Sequence, residues 1–342
     1  MPRVSVQIVT WNSERYIFDC LESLLSQTFT DFSLMVVDNN STDDTVEFIR
    51  QNYPSASVLQ NFKNAGFTKA HNQGLLLAKS EYILVMNPDV VLTPEFLANL
   101  VGFADNHPAG GSFGGKILKM TTEAIDNDDQ GGLRQVVKSN IIDSTGLQIF
   151  KSRRVVDRAE GQKDLGQYER FEQVFGISGA CVLYRKTALN EVMIRQEYFD
   201  NNFFAYKEDI DLAWRLRLYG FENWYQPEAV CYHRRNFAAY ADGSLAKIKA
   251  SRRAVSRLLR FYSFKNHHLT LVKNEQWFNV FLALPWLLVR ELQVVFYSLI
   301  FEPFQWRSLM LFFAQLPDTL TKRRIIMAHK KVGPQDIRKW FK

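Results

Sequence analysis

Acidic side chains stand at the ends of three predicted elements. Asp38 follows the apolar residues 32–37, Asp89 follows the apolar residues 82–86, and residues 208–211 carry three carboxylates at the start of an amphipathic helix. Taken alone, each is explained by turn formation or by a favourable interaction with a helix dipole. Together, at the carboxyl edge of one parallel sheet, they would face a single crevice, where a carboxylate can hold Mg²⁺ or Mn²⁺ against phosphate oxygens.

The elements that would position these residues alternate between strand and helix. This βαβαβ alternation predicts an α/β fold with a Rossmann-like, mostly parallel sheet covered by helices. The phosphate-binding patterns G-x-G-x-x-G and G-x-x-x-x-G-K-[ST] are absent from the sequence, which disfavours a dinucleotide or Walker-type site. The predicted strands are 4–10, 32–37, 57–60 and 82–86, and the helices between them include 69–79.

The middle of the chain is less regular. Residues 121–170 are polar, with a cluster of Asp and Gly and no clear period, and we interpret them as a long loop or excursion. An apolar segment over 174–185, interrupted by Gly176, Ser178 and Gly179, predicts a further strand.

Composition indicates a folded globular chain, since 46% of the 342 residues are hydrophobic and 23% are charged. The three cysteines form no C-x-x-C pair, which predicts neither a disulfide framework nor a structural zinc site and fits a reducing compartment. The first residues alternate between apolar and polar side chains. They contain no continuous apolar segment after a basic start, so we expect no secretory signal.

Charge is distributed unevenly along the chain. Residues 246–342 hold 18 Lys and Arg against 5 Asp and Glu, a net charge of +13, whereas residues 1–245 carry a net charge of −7. A basic tail is typical of a surface for nucleic acid, for an anionic membrane or for solvent. We expect no nucleic-acid partner, because no recognised nucleic-acid motif accompanies the charge.

Residues 278–301 are almost all apolar, but Pro285, Arg290, Glu291 and Gln293 lie inside the segment. A charge near the centre of a spanning helix costs about 2.5–3.5 kcal/mol, so a helix lying in the membrane interface fits better than a full span. The alternative is a helical pair that packs on the catalytic domain or forms a homodimer. We expect Trp277, Trp286 and Trp306 at headgroup depth and Arg252, Arg253, Arg257, Lys322, Arg323 and Arg324 facing anionic lipid.

Six segments in order carry a family resemblance. The chain resembles family 2 glycosyltransferases and, more narrowly, the rhamnosyltransferase-like branch that decorates bacterial cell-surface polysaccharides. The resemblance covers about residues 4–235. Its segments are VSVQIVTWN at 4–12, MVVDNNSTDDT at 35–45, NAGFTKAHN at 64–72, MNPDV at 86–90, GISGACVLYR at 176–185, and 208–220 followed by His233.

The resemblance implies a GT-A fold and an inverting transfer from a nucleotide diphosphate sugar. Asp38 falls where the family recognises the pyrimidine base, and Asp89 falls at the last position of its D-x-D metal motif, whose first position is here Asn87. His233 falls where some members place a further ligand to Mg²⁺ or Mn²⁺. The residues so implied at the donor site are Thr10, Asn12, Asp38, Asn40, Asn64, Gly66, Asn72, Asn87 and Asp89.

The resemblance places the catalytic base at Asp209, which would take the proton of the acceptor hydroxyl. Glu208, Asp211 and Arg215 would support it, and the small residues Gly179 and Ala180 would lie close to the sugar or the acceptor. The processive members carry a Q-x-x-R-W element after the base. It is absent here, so we predict a single addition per encounter.

The resemblance therefore implies a metal-dependent glycosyltransferase that moves a sugar, best matched by L-rhamnose from dTDP-rhamnose, onto a polyprenyl-diphosphate-linked saccharide. We expect it to be peripheral, at the cytoplasmic face of the membrane. The expected organisation is a nucleotide-sugar-binding half over 1–120, an acceptor-binding and catalytic-base half over 121–245, and a helical membrane-associating extension over 246–342. The alternatives are a UDP-sugar donor, a nucleotidyltransferase-like enzyme, and a catalytically weak, membrane-bound scaffold.

Overall fold

The computed structural model describes residues 1–124, 134–234 and 255–342. Among these residues, the main sheet holds ten strands, ordered β10-β12-β6-β11-β4-β1-β2-β3, with β5 beside β12 and β7 beside β6. The strands are β1 (Val4–Thr10), β2 (Phe32–Asp38), β3 (Ser57–Gln60), β4 (Tyr82–Met86), β5 (Val90–Leu92), β6 (Gly110–Ala124), β7 (Arg134–Ser144), β8 (Leu147–Ile149), β9 (Val155–Asp157), β10 (Glu172–Gln173), β11 (Cys181–Arg185) and β12 (Glu222–His233).

Helices cover the sheet and continue beyond it. In the described residues they are α1 (Glu14–Leu25), α2 (Thr45–Asn52), α3 (Phe67–Leu77), α4 (Phe96–Asp105), α5 (Lys186–Val192), α6 (Glu208–Leu218), α7 (Arg257–Asn274), α8 (Trp277–Phe301), α9 (Gln305–His329) and α10 (Pro334–Arg338). Apolar side chains at helical spacing attach them to the core, as α1 does through Ile17, Cys20, Leu21 and Leu24.

The centre of the sheet is parallel and buried. All seven residues of β1 are buried, and β1 pairs in parallel with β2 on one side and β4 on the other. Strands buried on both faces usually have nearly continuous apolar sequence, as β4 does. In β1 the buried polar side chains of Gln7 and Thr10 are instead hydrogen-bonded. The ends of β1, β2 and β4 therefore lie side by side, and the predicted α/β class with a mostly parallel, helix-covered sheet is confirmed.

The prediction of a long loop over 121–170 was wrong for the described part of that segment. Strand β6 runs to Ala124, and β7, β8 and β9 follow within the predicted loop. The described pairing places β7 on the far side of β6, antiparallel to it and off the main strand order. The apolar residues of β7 fall in the adjacent pairs 136–137 and 141–142, so its sequence lacks the alternation that would have indicated a strand. In the segment 174–185, only Cys181–Arg185 is a strand (β11).

The C-terminal helices share the core of the body. Ile326, Ile337 and Phe341 belong to the same buried cluster as Leu212 and Trp214 of α6. Helix α7 also joins this body through ion pairs, since Lys273 contacts Asp200 and lies 2.9 Å from Asp211.

Helix α8 is different, because most of its apolar side chains are exposed. Among the helices in the described residues, α8 alone is long and apolar enough to cross a membrane. About a tenth of its most apolar 18-residue segment is buried. Its charged residues face α7. The Glu291 carboxylate lies 3.1 Å from Nε2 of His267 and 2.9 Å from Nε2 of His268, and Arg290 pairs with Glu291.

Candidate active site

Asp38 closes β2 and is completely buried. Its Oδ1 accepts hydrogen bonds from Thr10 Oγ1 at 2.8 Å and Ser41 Oγ at 2.5 Å, and its Oδ2 accepts one from Ser41 N at 2.9 Å. Asn40, between them, has a left-handed backbone with φ of 66°. Neighbouring turns thus hold this carboxylate at the carboxyl edge of the sheet.

Asn12 ties the turn after β1 to the turn after β2. Its Oδ1 accepts the N–H of Thr42 at 2.8 Å, and its own N–H donates to Ser41 Oγ at 2.9 Å. Its φ of 51° is left-handed, a conformation in which Asn is enriched. Thr10, Asn12, Asp38 and Asn40 are therefore brought together as the motif segments implied.

Asn64 and Gly66 shape the start of α3. Gly66 has a φ of 85°, and its N–H donates to Asn64 Oδ1 at 2.9 Å. A Cβ at Gly66 would lie 2.5 Å from Cδ2 of Phe204 and 2.7 Å from the Phe204 carbonyl oxygen, so only glycine fits. Asn39 holds this turn from the β2 side, because its Nδ2 donates to the Gly66 carbonyl at 3.2 Å. Asn39 belongs to the quoted MVVDNN segment, but it was missed as a site residue.

Asn72 uses its side-chain amide inside the protein. Its Oδ1 accepts the N–H groups of Tyr198 and Phe199 at 3.0 and 2.9 Å, and its Nδ2 donates to the Phe199 carbonyl at 2.7 Å and to Asn201 Oδ1 at 2.9 Å. These contacts position residues 198–201, and a donor contact by Asn72 stays a prediction.

Asp89 and His233 face each other at the end of β4. Asp89 Oδ1 lies 3.4 Å from His233 Nε2, while His233 Nδ1 lies 2.8 Å from Asp143 Oδ2. Burial alone would lower the pKa of His233, but the hydrogen bond with Asp143 and the facing carboxylate of Asp89 outweigh it and raise the pKa to about 10. Asn87 lies beside them, and its backbone N–H donates to the Ala180 carbonyl at 2.9 Å.

The residues around Asp89 fit a metal ion whose remaining ligands come from the substrate. Within the described part of the chain, Asp89 Oδ1 is buried without a hydrogen-bond partner, and no group of three or more His, Cys, Asp or Glu side chains could hold a metal. Mg²⁺ is commonly held by one or two carboxylates together with substrate phosphates. Asp89 is suited to that arrangement. His233 would have to lose a proton before it could join Asp89 as a ligand, and Asp143 would then orient the imidazole through its other ring nitrogen.

Asp209 lies in the first turn of α6, next to Gly179. Its Oδ2 accepts the Gly179 N–H at 3.1 Å and its Oδ1 accepts the Ile210 N–H at 2.8 Å. A Cβ at Gly179 would lie 3.1 Å from Asp209 Cβ, so a small residue permits this approach. Burial raises the pKa of the Asp209 carboxyl, and burial together with the charge of Asp209 raises the pKa of Glu208 to about 8.

Asp211 is held by cations, in contrast to Asp209. It is fully buried, and its carboxylate lies 2.9 Å from Lys273 Nζ, 2.7 Å from Asn274 Nδ2 and 3.2 Å from Arg215 Nε. Arg215 then donates to the backbone carbonyls of Val192 and Tyr198. These contacts agree with the supporting role expected of Asp211 and Arg215.

The placement of Lys322 toward lipid was wrong. Lys322 is 3% exposed, and its Nζ lies 2.8 Å from Glu197, 2.6 Å from Asp200 and 3.0 Å from Asp318. A buried ammonium needs such partners, and helical spacing could not reveal them because two of the three lie more than 120 positions earlier. Arg252 and Arg253 lie outside the described residues.

Comparisons with known proteins agree with this fold. Residues 5–193 match Glycosyl transferase family 2, which is more than half of the chain. An N-acetylglucosaminyl-diphospho-decaprenol L-rhamnosyltransferase of Mycobacterium tuberculosis is 28% identical over 245 residues, covering 67% of this chain and 75% of the relative.

Two solved structures share the fold at low sequence identity. GalNAc-T7, crystallised with UDP, GalNAc and Mn²⁺, has a TM-score of 0.58 and 12% identity over 80% of this chain and 48% of its own. Residues 1–349 of TarS from S. aureus have a TM-score of 0.51 and 19% identity over 99% of this chain and 89% of theirs. Because the family model matches more than half of the chain and the fold agrees with it, the chain belongs to glycosyltransferase family 2.

Proposed function

We propose that this enzyme is an inverting, metal-dependent, non-processive glycosyltransferase that transfers L-rhamnose from dTDP-rhamnose to a lipid-linked saccharide acceptor. The observation that carries the proposal is the half-buried carboxylate of Asp209, oriented by two backbone N–H groups beside Gly179. The likeness to the mycobacterial rhamnosyltransferase supports the sugar and the class of acceptor.

The proposed reaction is a single displacement. Asp209 takes the proton of the acceptor hydroxyl as that oxygen attacks the anomeric carbon, and the nucleoside diphosphate leaves from the opposite face. Burial raises the pKa of Asp209, which makes it a stronger base than a solvated carboxylate. The tight approach at Gly179 leaves this carboxylate unshielded by a side chain from the facing segment.

The donor is proposed to lie across the ends of β1, β2 and β4. Asp38 would recognise the pyrimidine ring, while the turns at Asn12, Asn40 and Gly66 shape the cleft around the nucleoside. Asp89 and His233 would hold Mg²⁺ or Mn²⁺, which when bound neutralises charge on the diphosphate.

A UDP-sugar is the second candidate donor. GalNAc-T7 was crystallised with UDP and Mn²⁺, and TarS was crystallised with UDP-GlcNAc in a structure of TM-score 0.51. Recognition of the pyrimidine through Asp38 would suit thymine and uracil alike.

The test is a thermal-shift titration with dTDP-rhamnose, UDP-sugars and GDP-sugars, each with and without Mg²⁺ or Mn²⁺. A ligand that binds the folded state raises the apparent melting temperature. We expect the largest, metal-dependent rise with dTDP-rhamnose. A larger rise with a UDP-sugar would replace the donor, and no response to any of them would favour the catalytically weak scaffold.

The lipid acceptor is tested by turnover. We expect faster transfer to a polyprenyl-diphosphate-linked saccharide than to the same saccharide in soluble form. Equal rates on both acceptors would contradict this part of the proposal.

Peripheral membrane association at the cytoplasmic face is proposed for the C-terminal helices. Support comes from aromatic side chains on α8, where Trp277 is 75% exposed and Phe281 is 73% exposed one helical turn later. Where α8 begins, a groove of about 390 Å³ lies between it and the end of α9. Its lining combines apolar and basic side chains, an arrangement suited to an anionic lipid surface: Trp277, Phe278, Met327, Arg323, Arg324 and Lys330.

Sedimentation with vesicles of phosphatidylcholine and phosphatidylglycerol tests this association. Phe281→Ser should lower the bound fraction several-fold, because the substitution removes a large apolar side chain from the proposed contact. Phe62→Ser is the matched control, since Phe62 is fully exposed but lies on the body between β3 and α3. Equal binding of both variants and the unsubstituted enzyme would contradict the contact.

A further inference from the structure

The segment just before the proposed base has an unusual backbone. Phe204, Tyr206 and Lys207 have φ values of 65°, 71° and 70°, and helix α6 begins at the next residue. Left-handed conformations at residues other than glycine cost about 1–3 kcal/mol each and persist only where surrounding contacts enforce them. The contacts that enforce this conformation therefore also set where Asp209 stands.

Asn266 of α7 supplies such contacts. It is fully buried, and its Nδ2 lies 3.0 Å from the carbonyl oxygen of Phe203, 2.9 Å from that of Ala205 and 2.7 Å from that of Tyr206. The left-handed residues turn these three carbonyls toward one point. A buried carbonyl without a donor costs about 1–3 kcal/mol, so a donor at this point stabilises the turned backbone and an apolar side chain would not.

A second contact links the same segment to the donor side of the cleft. Tyr262, one turn before Asn266, stacks on Phe204 with 4.8 Å between ring centroids and 13° between planes. Phe204 in turn fills the space that a side chain at Gly66 would need, and its carbonyl accepts the Thr68 N–H at 3.1 Å. The segment 203–207 thus touches α7 on one side and the turn before α3 on the other.

We propose that Asn266 is a positioning residue for the transfer reaction. By holding residues 203–207, it fixes Asp209 against Gly179 and Phe204 against Gly66, so the C-terminal extension completes the active site. This inference rests on the proposed role of Asp209 as the base. It assigns to α7 a part in catalysis that is separate from any contact of α8 with a membrane.

Asn266→Leu is the variant that tests it, because leucine keeps the branching of the asparagine side chain and removes the amide donor. Leucine is larger than asparagine, so the control must introduce the same increase in volume at a buried position. Asn279→Leu is the matched control. Asn279 is also buried in the extension, and its Nδ2 donates to a single carbonyl, that of Pro334 at 2.8 Å, away from residues 203–207. Both variants are measured as full-length enzyme for melting temperature, for hydrogen–deuterium exchange of residues 203–209 without substrate, and for kcat and KM.

For Asn266→Leu we expect at least tenfold faster exchange in residues 203–209 and at least a tenfold lower kcat, with KM for the acceptor changed less than threefold. For Asn279→Leu we expect less than a twofold change in kcat and unaltered exchange in that segment. Unaltered exchange in Asn266→Leu would overturn the inference, and so would faster exchange with normal kcat. Equal loss of kcat in both variants would overturn it too, since general destabilisation would then explain the effect.

The exchange measurement separates this inference from the proposed function. Suppose that Asp209→Asn keeps its activity while Asn266→Leu still speeds exchange in residues 203–209. The proposed base is then wrong, and the hold of Asn266 on this segment is supported.

Discussion

Asp38 and Asp209 are both carboxylates at the edge of the sheet, but they are held in opposite ways. Asp38 receives its hydrogen bonds from Thr10 and Ser41, residues in its own turn and in the adjacent strand. Asp209 depends on a left-handed segment whose carbonyls are held by Asn266, 57 positions later in the chain. One half of the active site is built locally, and the other is assembled from distant parts of the sequence.

This difference explains why the donor half is so readily detected by its motifs. A site whose hydrogen bonds come from neighbouring turns needs particular residues at fixed spacings, as in the segment around Asp38. When a distant helix supports a site, the local motif contains only the residue that is supported and none of the residues that support it. The four predictions below test this contrast, beginning with the largest expected effect.

Asp209→Asn should lower kcat by about 10²–10⁴-fold, because the amide keeps the shape but cannot take the acceptor proton. Donor affinity, measured by calorimetry, should stay within a few fold, since the donor contacts lie around Asp38. Loss of donor binding together with turnover would indicate a structural role for Asp209 instead.

Asp211→Asn should lower the free energy of unfolding by about 3–5 kcal/mol, because it removes the charge that Lys273 and Arg215 face in a buried site. Urea denaturation measures this. The control is Asp105→Asn, whose partner Arg3 is 38% exposed, and it should cost less than about 1 kcal/mol. Similar losses in the two variants would show that the extension is not held by this buried network.

Asp38→Asn should weaken binding of the nucleoside diphosphate by about 10- to 100-fold, in keeping with the loss of one charge-assisted hydrogen bond worth about 1.5–3 kcal/mol. At saturating donor, kcat should change little. Titration calorimetry and initial rates distinguish the two quantities. A large fall in kcat with unchanged nucleotide affinity would reverse the roles assigned to Asp38 and Asp209.

Glu208→Gln should alter how stability depends on pH. Burial raises the pKa of Glu208 to about 8 from an ordinary value near 4.5, so the folded state keeps a proton that the unfolded state loses between these values. This group's contribution is full below about pH 4.5 and is lost as pH rises toward 8. Urea denaturation at pH 5 and pH 8 should show a smaller loss in the variant, and an equal loss in both proteins would contradict the raised pKa.

Much of the fold could be predicted from the sequence, because its central strands are apolar runs that end in turn residues. Strand β7 could not, since it lies beside β6 at the margin of the sheet and carries little apolar pattern. At the site, the resemblance singled out Asp209 among three neighbouring carboxylates. The contacts that distinguish Asp211 from Asp209 come from Lys273 and Asn274, which lie too far along the chain for a local pattern to reveal them.

The pairing of Glu291 with His267 and His268 restricts how α8 can turn about its axis. Because α7 carries both these histidines and Asn266, the exposed aromatic face of α8 and the carboxylate of Asp209 keep one relative orientation. An enzyme resting on a membrane by that face would carry its active site at a constant height above the lipid headgroups. Encounters with a lipid-linked acceptor would then become a search in two dimensions, and the height would select which saccharide along the acceptor reaches Asp209.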